Sequence, residues 1–104
     1  MDKKNNGKIS QEDSILTYIK SRDFASVREL TKYFNLSSER KTRRIIERLR
    51  ELGEPICISS KGYYYSKDPL EIDKTIQKLL SQAQGQIRTA KNLKLAKQKL
   101  EMVN

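Results

Sequence analysis

Apolar positions recur along this chain at two different periods, and the changes between them divide it into elements. From Ile15 to Leu52 the spacing is three or four residues, between Ile56 and Tyr65 it is two, and from Ile72 onward it returns to three or four. Asp13 or Ser14 caps a first helix carrying Ile15, Leu16 and Ile19, which ends near Ser21-Arg22-Asp23. The run Ser26-Val27-Arg28-Glu29 fits a capping box. It opens a second helix through Leu30 to about Phe34, with Val27, Leu30 and Phe34 on one face and Asn35 as its stop.

Leu36 plugs the corner that follows, and Ser37 or Ser38 caps a third helix running to Leu52, with Gly53 as terminator and Pro55 barring its resumption. Its inward positions are Thr42, Ile45 or Ile46, Leu49 and Leu52, and its other side is almost entirely charged. After Pro55 the alternation of Ile56 and Ile58 with Cys57 and Ser59, then Ser60-Lys61-Gly62 and three tyrosines, predicts a β-hairpin. Gly62 is placed for a positive φ at the loop. Ile56, Ile58, Tyr63 and Tyr65 face the helices, which leaves Tyr64 as the exposed tyrosine and Cys57 as a small strand residue.

Asp68-Pro69 opens a fourth helix, aspartate as cap and proline in the first turn. Along it Ile72, Ile76, Leu79, Ala83, Ile87, Ala90, Leu93 and Leu100 form an apolar stripe, interrupted by Gly85 and Lys97. Three segments result: a polar arm over 1–12, a domain over 13–68, and an amphipathic helix over 69–104. The fold class is mainly α with one small hairpin, and the order helix, helix, tight turn, helix, hairpin is that of a winged helix-turn-helix.

Composition then narrows the chemistry. In 104 residues, 22 Lys and Arg stand against 13 Asp and Glu, giving a formal charge of +9. Such an excess suits a polyanionic partner, because neutralised phosphates release condensed counterions. A single cysteine excludes an intramolecular disulfide and the absence of histidine excludes a Cys/His zinc site, so no metal or other cofactor is expected. The opening MDKKNNGKISQED lacks the apolar core of a secretory signal and no window approaches a membrane span, so the chain reads as cytoplasmic with no membrane partner. No glycine-rich phosphate loop, metal-ligand cluster or histidine base is present, and an enzyme is not expected.

Thr42-Arg43-Arg44-Ile45-Ile46-Glu47-Arg48-Leu49-Arg50-Glu51-Leu52-Gly53, followed by Pro55-Ile56 and Lys61-Gly62-Tyr63-Tyr64, resembles bacterial winged-helix regulators. The likeness is to the N-terminal domain of biotin-operon repressors and to small phage or mobile-element proteins of the same build, over residues 13–68. It implies a duplex DNA partner and a third helix that enters the major groove. Two departures stand out: Thr42 occupies a position usually held by Ile or Val, and no effector domain follows the wing, so no small-molecule response is implied.

Glu39, Arg40, Lys41, Arg43 and Arg44, off the apolar stripe in the first two turns, are the candidates for base readout. Arg40, Lys41 and Arg44 lead, with Arg43 able to reach phosphate instead. Glu39–Arg43 and Glu47–Arg50 ion pairs on a solvated face are the competing use of the same residues. Ser26, Arg28, Lys32 and Ser38 are placed for the DNA backbone, and Ser59, Ser60 and Lys61 at the wing tip for phosphate or the minor groove. Arg48 and Arg50 fit helix stability at the far end.

The stripe Ile72, Ile76, Leu79, Ala83, Ile87, Ala90 and Leu93 suits a homodimer or a helix folding back, and a dimer would read an inverted repeat. Sequence-specific duplex binding is expected, in transcription regulation or in the replication or maintenance of a phage or plasmid. The alternative is an adaptor that uses the winged helix and last helix to bind a host or replication protein.

Overall fold

A computed structural model of the protein describes residues 10–103. The elements are α1 (Gln11–Lys20), α2 (Val27–Tyr33), α3 (Glu39–Glu51), strands β1 (Ile56–Ser59) and β2 (Gly62–Tyr65), and α4 (Pro69–Val103). The fold is winged-helix-like, mainly helical with a two-stranded antiparallel hairpin and a long C-terminal helix. One compact unit reaches Ile72 and a second begins at Asp73.

Most helix ends fall where the local chemistry demands. Ser26 accepts from the Glu29 amide at 3.0 Å and Ser38 from the Lys41 amide at 3.1 Å, each satisfying one orphan donor of a first turn. The start of α1 differs from expectation. Ser10, not Asp13 or Ser14, is the cap, accepting from the Asp13 amide at 3.1 Å, so residues 11 and 12 of the polar arm are helical. Residues 1–9 of that arm lie outside the described residues. The capping box at Ser26 is half used, because the Glu29 carboxylate turns to the Tyr18 hydroxyl, 2.6 Å away, and ties α2 to α1.

In the first unit the core collects Ile15, Leu16 and Ile19 of α1, Leu30 of α2, Ile45, Ile46 and Leu49 of α3, and Ile56 and Tyr63 of the hairpin, with Ala25 between α1 and α2. Both Ile45 and Ile46 are buried. Leu52 is not: it is the C-cap of α3, past the last full turn, and stays 66% exposed.

The hairpin pairs Ile56 with Tyr65, Cys57 with Tyr64, Ile58 with Tyr63 and Ser59 with Gly62. A further bridge extends it, since Ala25 and Tyr63 exchange two backbone hydrogen bonds of 2.9 Å each. Strand alternation implied one covered face, yet both are covered. Cys57 is 1% exposed and Tyr64 is half buried, because the Tyr64 hydroxyl reaches Glu71 at 2.7 Å and its ring meets Phe24 edge-on at 5.5 Å. Tyr64 is therefore not the exposed tyrosine of the wing.

The Glu71 hydrogen bond holds the Tyr64 phenol up at about 12, from an ordinary value of 10.0. The Glu29 contact raises Tyr18, and burial raises Tyr63 and Tyr65. The fold favours the neutral phenol in each case, so their contribution is fully present below pH 10 and is lost as pH climbs toward 12. The urea midpoint should fall over that window, and Tyr64→Phe should make the fall shallower. An unchanged slope in the variant would show that the Glu71 contact does not govern it.

The helix α4 has 35 residues, about 52 Å at 1.5 Å per residue. Asp68 caps it as expected, its carboxylate accepting from the Leu70 amide at 3.0 Å. Ile76, Leu79, Ile87 and Leu93 of its stripe are exposed, as are Ala83 and Ala90, whereas Ile72 is half buried. The apolar stripe is not clean, because exposed Leu70, Leu80, Leu95 and Met102 stand off it.

Candidate nucleic-acid interface

Two reverse turns of the same kind bracket α3. After α2, the Leu36 amide reaches back to Thr31 O at 2.9 Å and the Asn35 amide to Lys32 O at 3.1 Å, with Asn35 at φ 51. After α3, the Glu54 amide bonds Leu49 O at 3.0 Å and the Gly53 amide bonds Arg50 O at 2.9 Å, with Gly53 at φ 95. Both are Schellman closures, which satisfy the last carbonyls and turn the chain sharply. Asparagine serves at the first because its short polar side chain tolerates left-handed backbone.

Thr42, unusual in its position, is explained by the joint between α2 and α3. Its hydroxyl lies 2.6 Å from that of Thr31, which in turn donates to Val27 O at 2.6 Å. Since the Thr31 proton goes to the carbonyl, the one Thr42 proton is shared between Thr31 Oγ1 and Ser38 O, 3.3 Å away. A buried hydroxyl thus has its partner, and the relay sets how α3 leaves the turn. Fully buried, Thr42 itself cannot reach a ligand.

The buried residues Thr42, Ile45, Ile46 and Leu49 define one side of α3. At roughly 100° per residue, Arg40 and Arg44 fall within about 30° of the opposite side, with Glu47 and Glu51 continuing their row. Lys41 and Arg43 flank it. All of the predicted readers, Glu39, Arg40, Lys41, Arg43 and Arg44, are exposed.

Acidic neighbours divide the arginines. Arg43 lies 3.4 Å from Glu39, Arg48 lies 3.1 Å from Glu12 of α1, and Arg50 lies 3.1 Å from Glu47. Arg50 also donates through Nε to Ile56 O at 2.9 Å, with its guanidinium 5.8 Å from the centre of the Tyr63 ring, so it fastens α3 to the hairpin. Among the described residues Arg40, Lys41 and Arg44 form no ion pair. They line a shallow cleft with Ser37, Ser38, Ile45 and the Glu12–Arg48 pair at the start of α3. The exposed Arg43 pair holds by only about 0.3–0.5 kcal/mol, so it sets a resting orientation and no more.

Of the backbone candidates, Arg28 and Lys32 are exposed on α2, and the Ser26 and Ser38 hydroxyls accept from amides as caps while keeping their own protons to donate. At the wing tip Ser60 and Lys61 are exposed. Ser59 closes the loop, accepting from the Lys61 amide at 3.1 Å and donating to Gly62 O at 3.3 Å. The Lys61 ammonium lies 5.4 Å from the Phe24 ring centre, which places it on the α1–α2 side of the wing. Sequence reasoning missed Glu12, Arg50 as a strand anchor, and Phe24. Only Arg50 carried a signal, a basic residue one turn before a glycine stop.

In the second unit Lys91, Lys94, Lys97 and Lys99 are exposed along α4. Lys97 has Glu101 at 4.0 Å. Among the described residues no helix is long and apolar enough to cross a membrane, and no group of three or more His, Cys, Asp and Glu could hold a metal ion.

No protein-family model matches the chain, and no curated protein does. Among solved structures it is similar to the activation domain of the phage T4 transcription factor MotA, at 18% sequence identity and a TM-score of 0.47, over 82% of this chain and 88% of that chain. These comparisons lend no support to the likeness to biotin-operon repressors drawn from Thr42–Tyr64.

Proposed function

We propose that this chain binds double-stranded DNA sequence-specifically, with the first two turns of α3 in the major groove. The role we assign is transcription regulation, or replication or maintenance of phage or plasmid DNA, without catalysis. The observation that carries this reading is the trio Arg40, Lys41 and Arg44, exposed and without an ion pair among the described residues, directly after a capped tight turn. What sets the trio apart is its place in the first two turns of α3, after the capped turn, where no carboxylate among the described residues competes for it with a phosphate or base edge as Glu39 does for Arg43 and Glu47 for Arg50. Arg28, Lys32 and Lys61 are offered to phosphates.

The test compares specific and non-specific duplexes by fluorescence anisotropy across a salt series. Arg44→Ala should weaken specific binding by about 1–3 kcal/mol and non-specific binding far less, whereas Lys61→Ala should weaken both and reduce the salt slope by about one. Equal losses on every duplex with Arg44→Ala would remove that residue from base readout.

Exposed Ile76, Leu79, Ile87 and Leu93 on α4 support a second copy as the partner of that helix. A dimer would place two reading helices on an inverted repeat. A selected site consisting of one half-site without symmetry would overturn it. The same exposed residues support the second reading, an adaptor that docks a host or replication protein. That reading is favoured if no duplex binds in a salt-sensitive way while a protein is captured tightly.

A further inference from the structure

The duplex-reading role proposed above leaves open which bases α3 reads, and the composition of its outward side narrows them. Base-edge chemistry is selective: Arg pairs with guanine O6 and N7, Asn or Gln with adenine N6 and N7, and a carboxylate accepts from cytosine N4. The sequence of α3, ERKTRRIIERLRE, contains no Asn or Gln, and its one hydroxyl, Thr42, is fully buried. Direct reading of adenine by a paired amide is thus unavailable from this helix. Of its carboxylates, Glu39 and Glu47 face arginines at 3.4 and 3.1 Å.

What remains in the first two turns, opposite the buried side, is Arg40 and Arg44. They stand four residues apart, a rise of about 6 Å. Base pairs are stacked at about 3.4 Å, so that rise covers about two steps. Beyond Arg44 the outward row becomes Glu47 and Glu51, whose carboxylates repel phosphate and confine close approach to the N-terminal half of α3. We infer that α3 reads a short guanine pair, two guanines no more than about two base-pair steps apart, through bidentate contacts from Arg40 and Arg44. Lys41, to the side, adds attraction to the adjoining phosphate or to a guanine edge.

The experiment uses the full chain. Duplexes are selected from a random pool at fixed salt, and each guanine of the selected site is then replaced singly by 7-deazaguanine, which lacks the N7 acceptor. The expected result is a site holding two guanines within two steps, at which each replacement weakens binding by about 10-fold, the loss of one of the two hydrogen bonds of a bidentate pair. Arg44→Ala should abolish the penalty at one guanine and keep it at the other, and Arg40→Ala should do the converse. Both residues are exposed, so neither variant removes a core contact, and circular dichroism is the check that each keeps its fold. A selected site at which 7-deazaguanine changes nothing would overturn guanine reading while duplex recognition stands. Absence of selective, salt-sensitive binding to any duplex would overturn both.

Discussion

Gly62→Ala should destabilise the first unit by about 3–5 kcal/mol in urea unfolding, well beyond what a wing glycine would suggest. Two costs combine at this residue. Its φ of +128° lies in a region that residues with a Cβ rarely enter, a strain of roughly 1–3 kcal/mol. A Cβ there would also stand 2.8 Å from Ala25 C, Ala25 O and Ser26 N, all of them backbone atoms with no rotamer to escape into. Relief requires β2 to move away from Ala25, which lengthens the two 2.9 Å hydrogen bonds between Ala25 and Tyr63.

The control is Gly53→Ala. Gly53 has φ +95° but open space where a Cβ would go, so its cost is backbone strain alone, about 1–2 kcal/mol. Equal destabilisation by the two variants would show that contact with Ala25 contributes nothing. A unit of this size has only a few kcal/mol in reserve, so Gly62→Ala should leave much of it unfolded at 25 °C.

Features legible in the sequence are those decided within one or two turns. Ser26, Ser38, Gly53 and Asp68 were readable because a cap acts on amides or carbonyls a few residues away. The hairpin was readable for the same reason. The errors arise where a distant residue decides. Tyr64 is held half buried by Glu71, seven positions further along, and no alternation rule within the hairpin contains that information. Glu29 completes no capping box because Tyr18 of α1 competes for its carboxylate at 2.6 Å.

The candidate interface divides along the same line. Which residues of α3 point outward follows from its own period, but which of its arginines are engaged depends on Glu12 in α1 and on Ile56 O in β1. The Glu39–Arg43 and Glu47–Arg50 pairs and a stabilising use of Arg48 and Arg50 are legible in the sequence of α3, but the partners that lie outside the helix are not. Folding ties Arg48 to α1 and Arg50 to β1, while Arg40 and Arg44 stay exposed without an ion pair among the described residues.

Ile46→Ala, the other large effect, should cost about 2–5 kcal/mol, whereas Leu52→Ala should stay within about 0.5 kcal/mol. Ile46 is fully buried among residues of α1, α2 and the hairpin, so truncation removes packed methylenes and leaves a cavity that a rigid three-helix core can only partly close. Leu52 already lies 66% in water. By period alone the two residues belong to the same apolar stripe, so their difference measures where α3 actually ends.

That end point also bears on function. The buried stripe of Thr42, Ile45, Ile46 and Leu49 fixes the rotation of α3 about its axis, and this rotation sets Arg40 and Arg44 opposite the core. Were Leu52 to prove as costly as Ile46, the stripe would extend toward Leu52 and the helix would be turned accordingly. At about 100° per residue that turn is only about 15°, toward Arg40 and Arg43 and away from Arg44, so Arg44 is the guanine reader whose place on the outward side depends on where the helix ends.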